Sequence, residues 1–146
     1  MLVKEGENMK QLTRAFGVMC LIFILASLCT FAAPDVPPLP MSKLADIEKA
    51  TDTGGIPVIL MVTTDSCTTC EAMKVYFATM SIEFKDKVTF MIANADKSPD
   101  VKVAFGVRWA PTTIFFGSKG NIVKSTVGVA ITEAQMRQTM KDLKFI

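Results

Sequence analysis

Two of the four cysteines, Cys67 and Cys70, have only two residues between them. A dithiol at this spacing can close to a disulfide and open again. An apolar, β-branched run at residues 56–62 precedes the pair and a helical pattern at residues 71–84 follows it, which predicts a strand-to-helix corner. A cysteine at a helix N-terminus lies beside unpaired N–H groups and the positive end of the helix dipole, and both favour its thiolate. That thiolate is the form that attacks another disulfide.

Other roles for the pair have less support. A structural staple would close a loop of only four residues and contribute about 2 kcal/mol in the loop-entropy model. A zinc site would need carboxylates or another chain, because the sequence has no histidine and no second such pair. Cu(I) suits soft ligands, and Met73 lies about one helical turn after Cys70. However, Met73, Phe77, Met80 and Phe84 are spaced as a buried helical stripe, so we predict redox chemistry and keep copper delivery as an alternative.

Composition and charge favour one domain preceded by a short leader. The 146 residues include 16 Lys and Arg against 14 Asp and Glu, which gives a net charge of +2. This balance gives no indication of nucleic-acid binding, and no such partner is expected. The lack of histidine excludes histidine-based triads, histidine bases and histidine metal ligands from this sequence. We expect no metal and no cofactor other than the disulfide of Cys67 and Cys70.

The first residues have the pattern of an export signal. Residues 15–33 are uncharged and mostly apolar, and Lys10 and Arg14 precede them. Thr30 and Ala32 supply small residues at the two positions that a signal peptidase recognises, so cleavage is expected after Ala32. Residues 1–32 are therefore predicted to be a secretory signal peptide. The alternative is an uncleaved membrane anchor, because residues 15–33 are long enough to span a bilayer. In either case the folded part is expected outside the cytoplasm, in a periplasmic or similar compartment.

A proline-rich segment at residues 33–41 follows the leader and is predicted to be a semi-rigid spacer. Cys20 and Cys29 fall within the leader. The predicted domain, residues 42–146, therefore holds only the closely spaced cysteine pair, in a compartment where disulfide chemistry is expected.

Strands and helices are predicted to alternate through this domain. The predicted strands cover residues 56–62, 88–94, 112–116 and 121–127. The predicted helices cover residues 43–50, 71–84, 99–105 and, from a capping box at 132–135, a segment ending near 143. Ser42 is the predicted cap of the first helix, and Met136, Met140 and Leu143 are the predicted buried stripe of the last. This alternation predicts an α/β fold with a central sheet covered by helices on both faces.

The chain from about residue 42 to residue 145 resembles the thioredoxin superfamily. The Cys-Thr-Thr-Cys motif after an apolar strand is one feature of the match. Residues 107–112, Val-Arg-Trp-Ala-Pro-Thr, are similar to the family's segment that carries a cis-proline before a strand. The terminal hairpin, Gly128 and the capped last helix complete the match. The resemblance implies a thioredoxin-like fold, with a mixed β-sheet between helices, and an exported thiol–disulfide oxidoreductase.

The resemblance also implies roles for individual residues. Cys67 would be the attacking thiolate, and Cys70 would resolve the mixed disulfide. The Ala110–Pro111 bond would be cis and face the two sulfurs, which leaves the backbone of Ala110 free to pair with an extended substrate. The alternative for Pro111 is an ordinary trans turn. Trp109 is expected either to add an exposed apolar contact or to pack in the core.

The sequence departs from the family at positions that affect the ionisation of the two cysteines. Ser66 stands where many relatives have tryptophan. Met61 occupies the position of a buried aspartate that accepts a proton from the second cysteine, and a nearby lysine of the family falls at about Ile92. Deprotonation of Cys70 would therefore need water, a substrate group or a neighbour such as Glu71.

Opposing influences act on the thiolate. Asp65 and Glu71 flank the pair, and their negative charge would oppose ionisation. The helix dipole and the hydroxyl and amide groups of Thr68 and Thr69 would favour it.

The expected substrates are disulfides or dithiols of other exported proteins, and the expected recycling partner is a membrane or periplasmic redox protein. An alternative is a thioredoxin-like binding module, or a factor that delivers Cu(I) or matures a metal site with the same cysteines. A third possibility is a fold retained only for structure, with an inert pair.

Overall fold

The structure is a computed structural model that describes residues 36–146. The predicted signal peptide at residues 1–32 and the possible tether at residues 15–33 lie outside these residues. Within residues 36–146, no helix has the length and hydrophobicity needed to cross a membrane.

Strands and helices alternate through the described residues. The strands are β1 (Val58–Thr63), β2 (Thr89–Asn94), β3 (Thr112–Phe116) and β4 (Ile122–Val127). The helices are α1 (Leu44–Asp52), α2 (Thr68–Glu83), α3 (Pro99–Ala104) and α4 (Glu133–Asp142). The predicted elements are all present in the predicted order, because each has a clear apolar period and a local start or stop signal.

The four strands form one mixed sheet in the order β2-β1-β3-β4. β1 and β2 are parallel, whereas β3 is antiparallel to both β1 and β4. The C-terminal ends of β1 and β2 and the N-terminal end of β3 therefore meet at one edge of the sheet. The loops at that edge carry the cysteine pair and the proline segment.

Two apolar cores lie on opposite faces of this sheet. Ile59 and Met61 of β1 belong to the core shared with α2 and α4. Val58, Leu60 and Val62 belong to the core shared with α1 and α3. All six residues of β1 are buried, which explains why its sequence is a continuous apolar run rather than an alternating one. The predicted α/β fold with helices on both faces is confirmed.

Helix α2 is held to the core by its predicted stripe. Met73, Phe77 and Met80 are buried, and Phe84 packs at the margin of the same core. At its far end, Arg137 of α4 makes two hydrogen bonds to the carboxylate of Glu83, at 2.7 and 2.5 Å. These bonds hold the pKa of Glu83 below its ordinary value. The helix that carries the cysteines is therefore fixed along its length.

The first helix begins differently from the prediction. Ser42 is not its cap, because the Ser42 N–H donates to the carbonyl of Ile92 at 2.7 Å and keeps this residue in an extended edge segment. Lys43 takes the cap position, and its N–H donates to the Asp46 carboxylate at 3.0 Å. Met41 pairs in parallel with Ile92, and Leu39 packs against the core of α2 and α4. The end of the proline-rich segment therefore lies along β2.

Helix α2 also begins earlier than predicted, at Thr68 rather than at residue 71. The apolar period of α2 is absent from its first turn, so the periodicity alone placed the start too late. The correction brings Cys70 inside the helix and makes Cys67 its N-cap residue.

Candidate active site

Cys67 and Cys70 are joined by a disulfide, with an S–S distance of 1.99 Å and Cα atoms 5.3 Å apart. Cys67 is the N-cap of α2 and is partly exposed. Cys70 lies in the first turn and has no exposed surface. The two sulfurs therefore differ in accessibility, and a partner molecule approaching from solvent meets Cys67.

The local backbone explains this placement. The N–H of Cys67 donates to the carbonyl of Thr64 at 3.3 Å, which closes a turn between β1 and α2. The N–H of Cys70 donates to the carbonyl of Cys67 at 3.2 Å and begins the helix. Thr68 and Thr69 are exposed in the first turn, and their N–H groups precede the first hydrogen bond of the helix. This end of α2 therefore presents donors and the positive end of a dipole beside the sulfur of Cys67.

The two acidic residues that flank the pair both have partners. The Asp65 carboxylate accepts a hydrogen bond from Asn94 Nδ2 at 2.7 Å and lies 3.7 Å from Lys97 Nζ. Glu71 accepts a hydrogen bond from Lys74 Nζ at 2.5 Å. The negative charge that opposes a thiolate is thus partly offset on each side. Asn94 was not predicted as a site residue, and its only sequence signal is a polar residue at the end of an apolar strand.

The proline segment lies at the same edge of the sheet, since Val62 of β1 is paired with Thr112 of β3. The Ala110–Pro111 bond is cis, and Pro111 is buried. Within the described residues, the backbone of Ala110 makes no hydrogen bond. The Trp109 side chain is 70% exposed, so it follows the exposed alternative rather than the core alternative.

Two neighbours hold this segment in place. The Gly128 N–H donates to the Pro111 carbonyl at 2.9 Å. The Thr112 hydroxyl donates to the Trp109 carbonyl at 2.6 Å. Since both bonds use groups other than the Ala110 backbone, they fix the segment while leaving that backbone free.

The two positions at which the resemblance implies a buried aspartate and a nearby lysine are occupied by apolar residues. Met61 is 0% exposed and Ile92, its partner on β2, is 1% exposed. On the other side, Met61 pairs with Thr113, and Thr113 pairs with Thr126. Among residues 36–146, the buried hydroxyls of both threonines have no hydrogen-bond partner. Neither threonine was predicted as a site residue, although side-chain alternation along β3 puts Thr113 on the α2 side.

The described residues also bear on whether the chain could supply the ligand set that a metal ion requires. Residues 36–146 contain no group of three His, Cys, Asp or Glu side chains placed to hold an ion. Met73, considered above as a soft ligand, is 2% exposed and packs in the core.

Comparison with known protein families identifies the family of this chain. The family described as Thioredoxin matches residues 45–142, a range that contains all four strands, the cysteine pair and the proline segment. No curated protein matches the chain.

Proposed function

Because the chain belongs to the thioredoxin family, we propose that it is a thiol–disulfide oxidoreductase that uses Cys67 and Cys70 as its redox group. The observation that carries this proposal is the disulfide at the N-terminus of α2, with Cys67 partly exposed and Cys70 buried. The exposed sulfur of Cys67 would attack the substrate, and the buried sulfur of Cys70 would resolve the mixed disulfide.

In the reducing direction, the Cys67 thiolate attacks a substrate disulfide. A new S–S bond joins Cys67 to one substrate sulfur, and the other substrate sulfur leaves as a thiolate. Cys70 then loses its proton and attacks Cys67. The Cys67–Cys70 disulfide forms, the second substrate thiolate leaves, and two electrons have passed to the substrate. The oxidising direction is the reverse sequence.

The proton of Cys70 leaves without an internal carboxylate in this proposal, because Met61 and Ile92 are apolar. Glu71 is exposed and paired with Lys74, so it is poorly suited to the task. Water or the departing substrate thiolate is the proposed acceptor.

The substrate is proposed to lie as an extended chain beside the proline segment. The unpaired backbone of Ala110 would add hydrogen bonds to it, in the manner of strand addition. Pro111 would define the position of that backbone. Trp109 would supply exposed apolar surface next to it.

We further propose that the protein works after export, on thiols and disulfides of other exported proteins. Support comes from the uncharged apolar stretch at residues 15–33 with basic residues before it. A membrane or periplasmic redox protein would recycle the pair, and no cofactor besides the disulfide would be required. The chain would be either released or tethered through residues 15–33.

The test is turnover of a disulfide-containing protein with a dithiol as the electron source. Cys67→Ser is expected to abolish turnover, and Cys70→Ser is expected to trap mixed disulfides with Cys67. A variant with Cys20→Ser and Cys29→Ser is the matched control and should retain full activity. Undiminished turnover in Cys67→Ser would overturn the proposal.

Copper delivery predicts a different result in a separate assay. It requires Cu(I) bound at one ion per chain, dependent on both cysteines, in the presence of a competing chelator. Such binding together with no disulfide turnover would replace the oxidoreductase proposal.

A further inference from the structure

A single buried amide joins the two loops that surround the cysteine pair. Asn94, the last residue of β2, is 5% exposed. Its Nδ2 donates to the Asp65 carboxylate at 2.7 Å, in the loop between β1 and Cys67. Its Oδ1 accepts the N–H groups of Asp96 at 2.9 Å and Lys97 at 3.3 Å, in the loop after β2. The side chain thus satisfies three groups from two loops at once.

A second bond joins the same loops. The Asp65 N–H donates to the Asp96 carboxylate at 2.8 Å, so Asp65 is held through both its backbone and its side chain. Asp65 lies inside the turn that the N–H of Cys67 closes on Thr64. A change in the position of Asp65 would therefore alter the turn that precedes the N-cap residue of α2.

The hydrogen bond from Asn94 also fixes the direction of the negatively charged Asp65 carboxylate. Asp65 is two residues before Cys67, and a free carboxylate there could approach the thiolate and oppose it. Its hydrogen bond to Asn94 and the nearby ammonium group of Lys97 hold that carboxylate toward the loop after β2. The charged residues on the segments around Cys67 are Asp65, Glu71, Lys74, Asp96, Lys97 and Arg108. Among the acidic ones, Glu71 is paired with Lys74 and the Asp96 carboxylate accepts the N–H of Asp65. Asp65 is thus the carboxylate that the Asn94 side chain holds directly.

We propose that Asn94 is a positioning residue for Cys67, which fixes the turn before it and keeps the Asp65 carboxylate away from its sulfur. This role rests on the proposed oxidoreductase function. It requires no contact between Asn94 and the substrate, since the amide acts through Asp65.

The test measures the alkylation rate of Cys67 against pH in the full chain. A Cys70→Ser background leaves Cys67 as the only cysteine in the tryptic peptide of residues 50–74, so mass spectrometry reports on this thiol alone. Asn94→Ala is expected to slow alkylation at pH 7 by about threefold and to raise the midpoint of the pH profile, because the freed carboxylate opposes the thiolate.

A partner exchange separates positioning from a general loss of structure. Asn94→Asp alone keeps acceptors for the two N–H groups but repels Asp65, so it should also slow alkylation. Asp65→Asn combined with Asn94→Asp reverses donor and acceptor and rebuilds the bond. This double variant should restore the original rate within about a factor of two. Normal alkylation in both single variants, or no recovery in the double variant, would overturn the inference.

Turnover of a disulfide substrate by the unmodified protein is recorded separately. If the exchange restores alkylation but the protein reduces no disulfide, the proposed function fails and the positioning role stands. If turnover is normal and the Asn94 variants alkylate normally, the positioning role fails and the function stands.

Discussion

Met61 and Ile92 are partners on the parallel strands β1 and β2, and both are completely or almost completely buried. They occupy the positions at which the resemblance to thioredoxins led us to look for an aspartate and a lysine. Because both side chains are apolar, neither of these two positions provides a proton acceptor. In the proposed mechanism, the proton of Cys70 therefore passes to solvent or to the substrate.

Restoring an acid at this position should change the second step. Met61→Asp is expected to speed the attack of Cys70 on a mixed disulfide at Cys67 by about tenfold, through general-base catalysis. It is also expected to lower the free energy of unfolding by about 3 kcal/mol, because a charge without a partner is buried. The rate is measured by the release of the second thiolate from a small aromatic disulfide. Met61→Leu is the control, and equal rates for the two variants would contradict the prediction.

Gly128 is expected to control the position of Trp109. Its φ is 69°, and a Cβ built on it would lie 3.2 Å from the Cβ of Trp109. Gly128→Ala should displace Trp109 and raise KM for a protein disulfide about threefold or more, with a destabilisation of about 1 kcal/mol from the left-handed backbone. Gly106→Ala is the matched control, since its φ is 60° and a Cβ added there would have no atom within 4 Å. If both variants raise KM equally, the contact with Trp109 is not the cause.

The neighbouring threonines of β3 should respond oppositely to the same substitution. The Thr113 hydroxyl is buried and has no hydrogen-bond partner in the described part of the chain, so Thr113→Val is expected to raise the free energy of unfolding by about 1 kcal/mol. The Thr112 hydroxyl donates to the Trp109 carbonyl, so Thr112→Val should lower it by about 1 kcal/mol. Urea unfolding at pH 7 measures both. A destabilised Thr113→Val would mean that its hydroxyl has a partner in solution.

Stability should decline in alkali through Tyr76. Its hydroxyl donates to the carbonyl of Ile131, and burial, with a smaller contribution from Glu133, raises the pKa of Tyr76 from 10.0 to about 12. Between these pH values the unfolded chain has lost the proton and the folded protein keeps it. Raising the pH therefore favours the unfolded state, and the free energy of unfolding should fall from pH 10 to pH 12.

Tyr76→Phe provides the control for this prediction. This variant lacks the ionisable hydroxyl, so its free energy of unfolding should fall less between pH 10 and pH 12 than that of the unmodified protein. The difference between the two free energies should therefore narrow as the pH rises. Tyr76 is the only tyrosine, so an ultraviolet titration reads its ionisation directly. A midpoint near 10 in the folded protein would contradict the prediction.

Most of the fold could be predicted from short sequence patterns, such as capping residues, prolines and apolar runs. The α4 capping box forms as expected, with the Thr132 hydroxyl accepting the Gln135 N–H at 3.2 Å. Pro99 opens α3, and the apolar runs became strands within two residues of their predicted ends. Each of these features depends on residues close together in sequence, which one chain is sufficient to reveal.

The features that were missed depend on how distant segments meet. The role of Asn94 requires the loop after β1 to lie beside the loop after β2, 29 residues later in sequence. The buried hydroxyls of Thr113 and Thr126 become neighbours only through the register of β3 and β4. Ser42 was misassigned because its backbone is used by β2 instead of by the adjacent helix. No local pattern in the sequence encodes these pairings.

The parallel bridge between Met41 and Ile92 gives the domain a polarity. Since β2 runs toward the edge that carries the disulfide, this parallel pairing directs the chain before Met41 back toward the opposite end of the sheet. A support, label or fusion partner joined before Val36 would thus be attached away from the end of the sheet that carries the disulfide. We expect the partly exposed Cys67 to stay accessible in such a fusion.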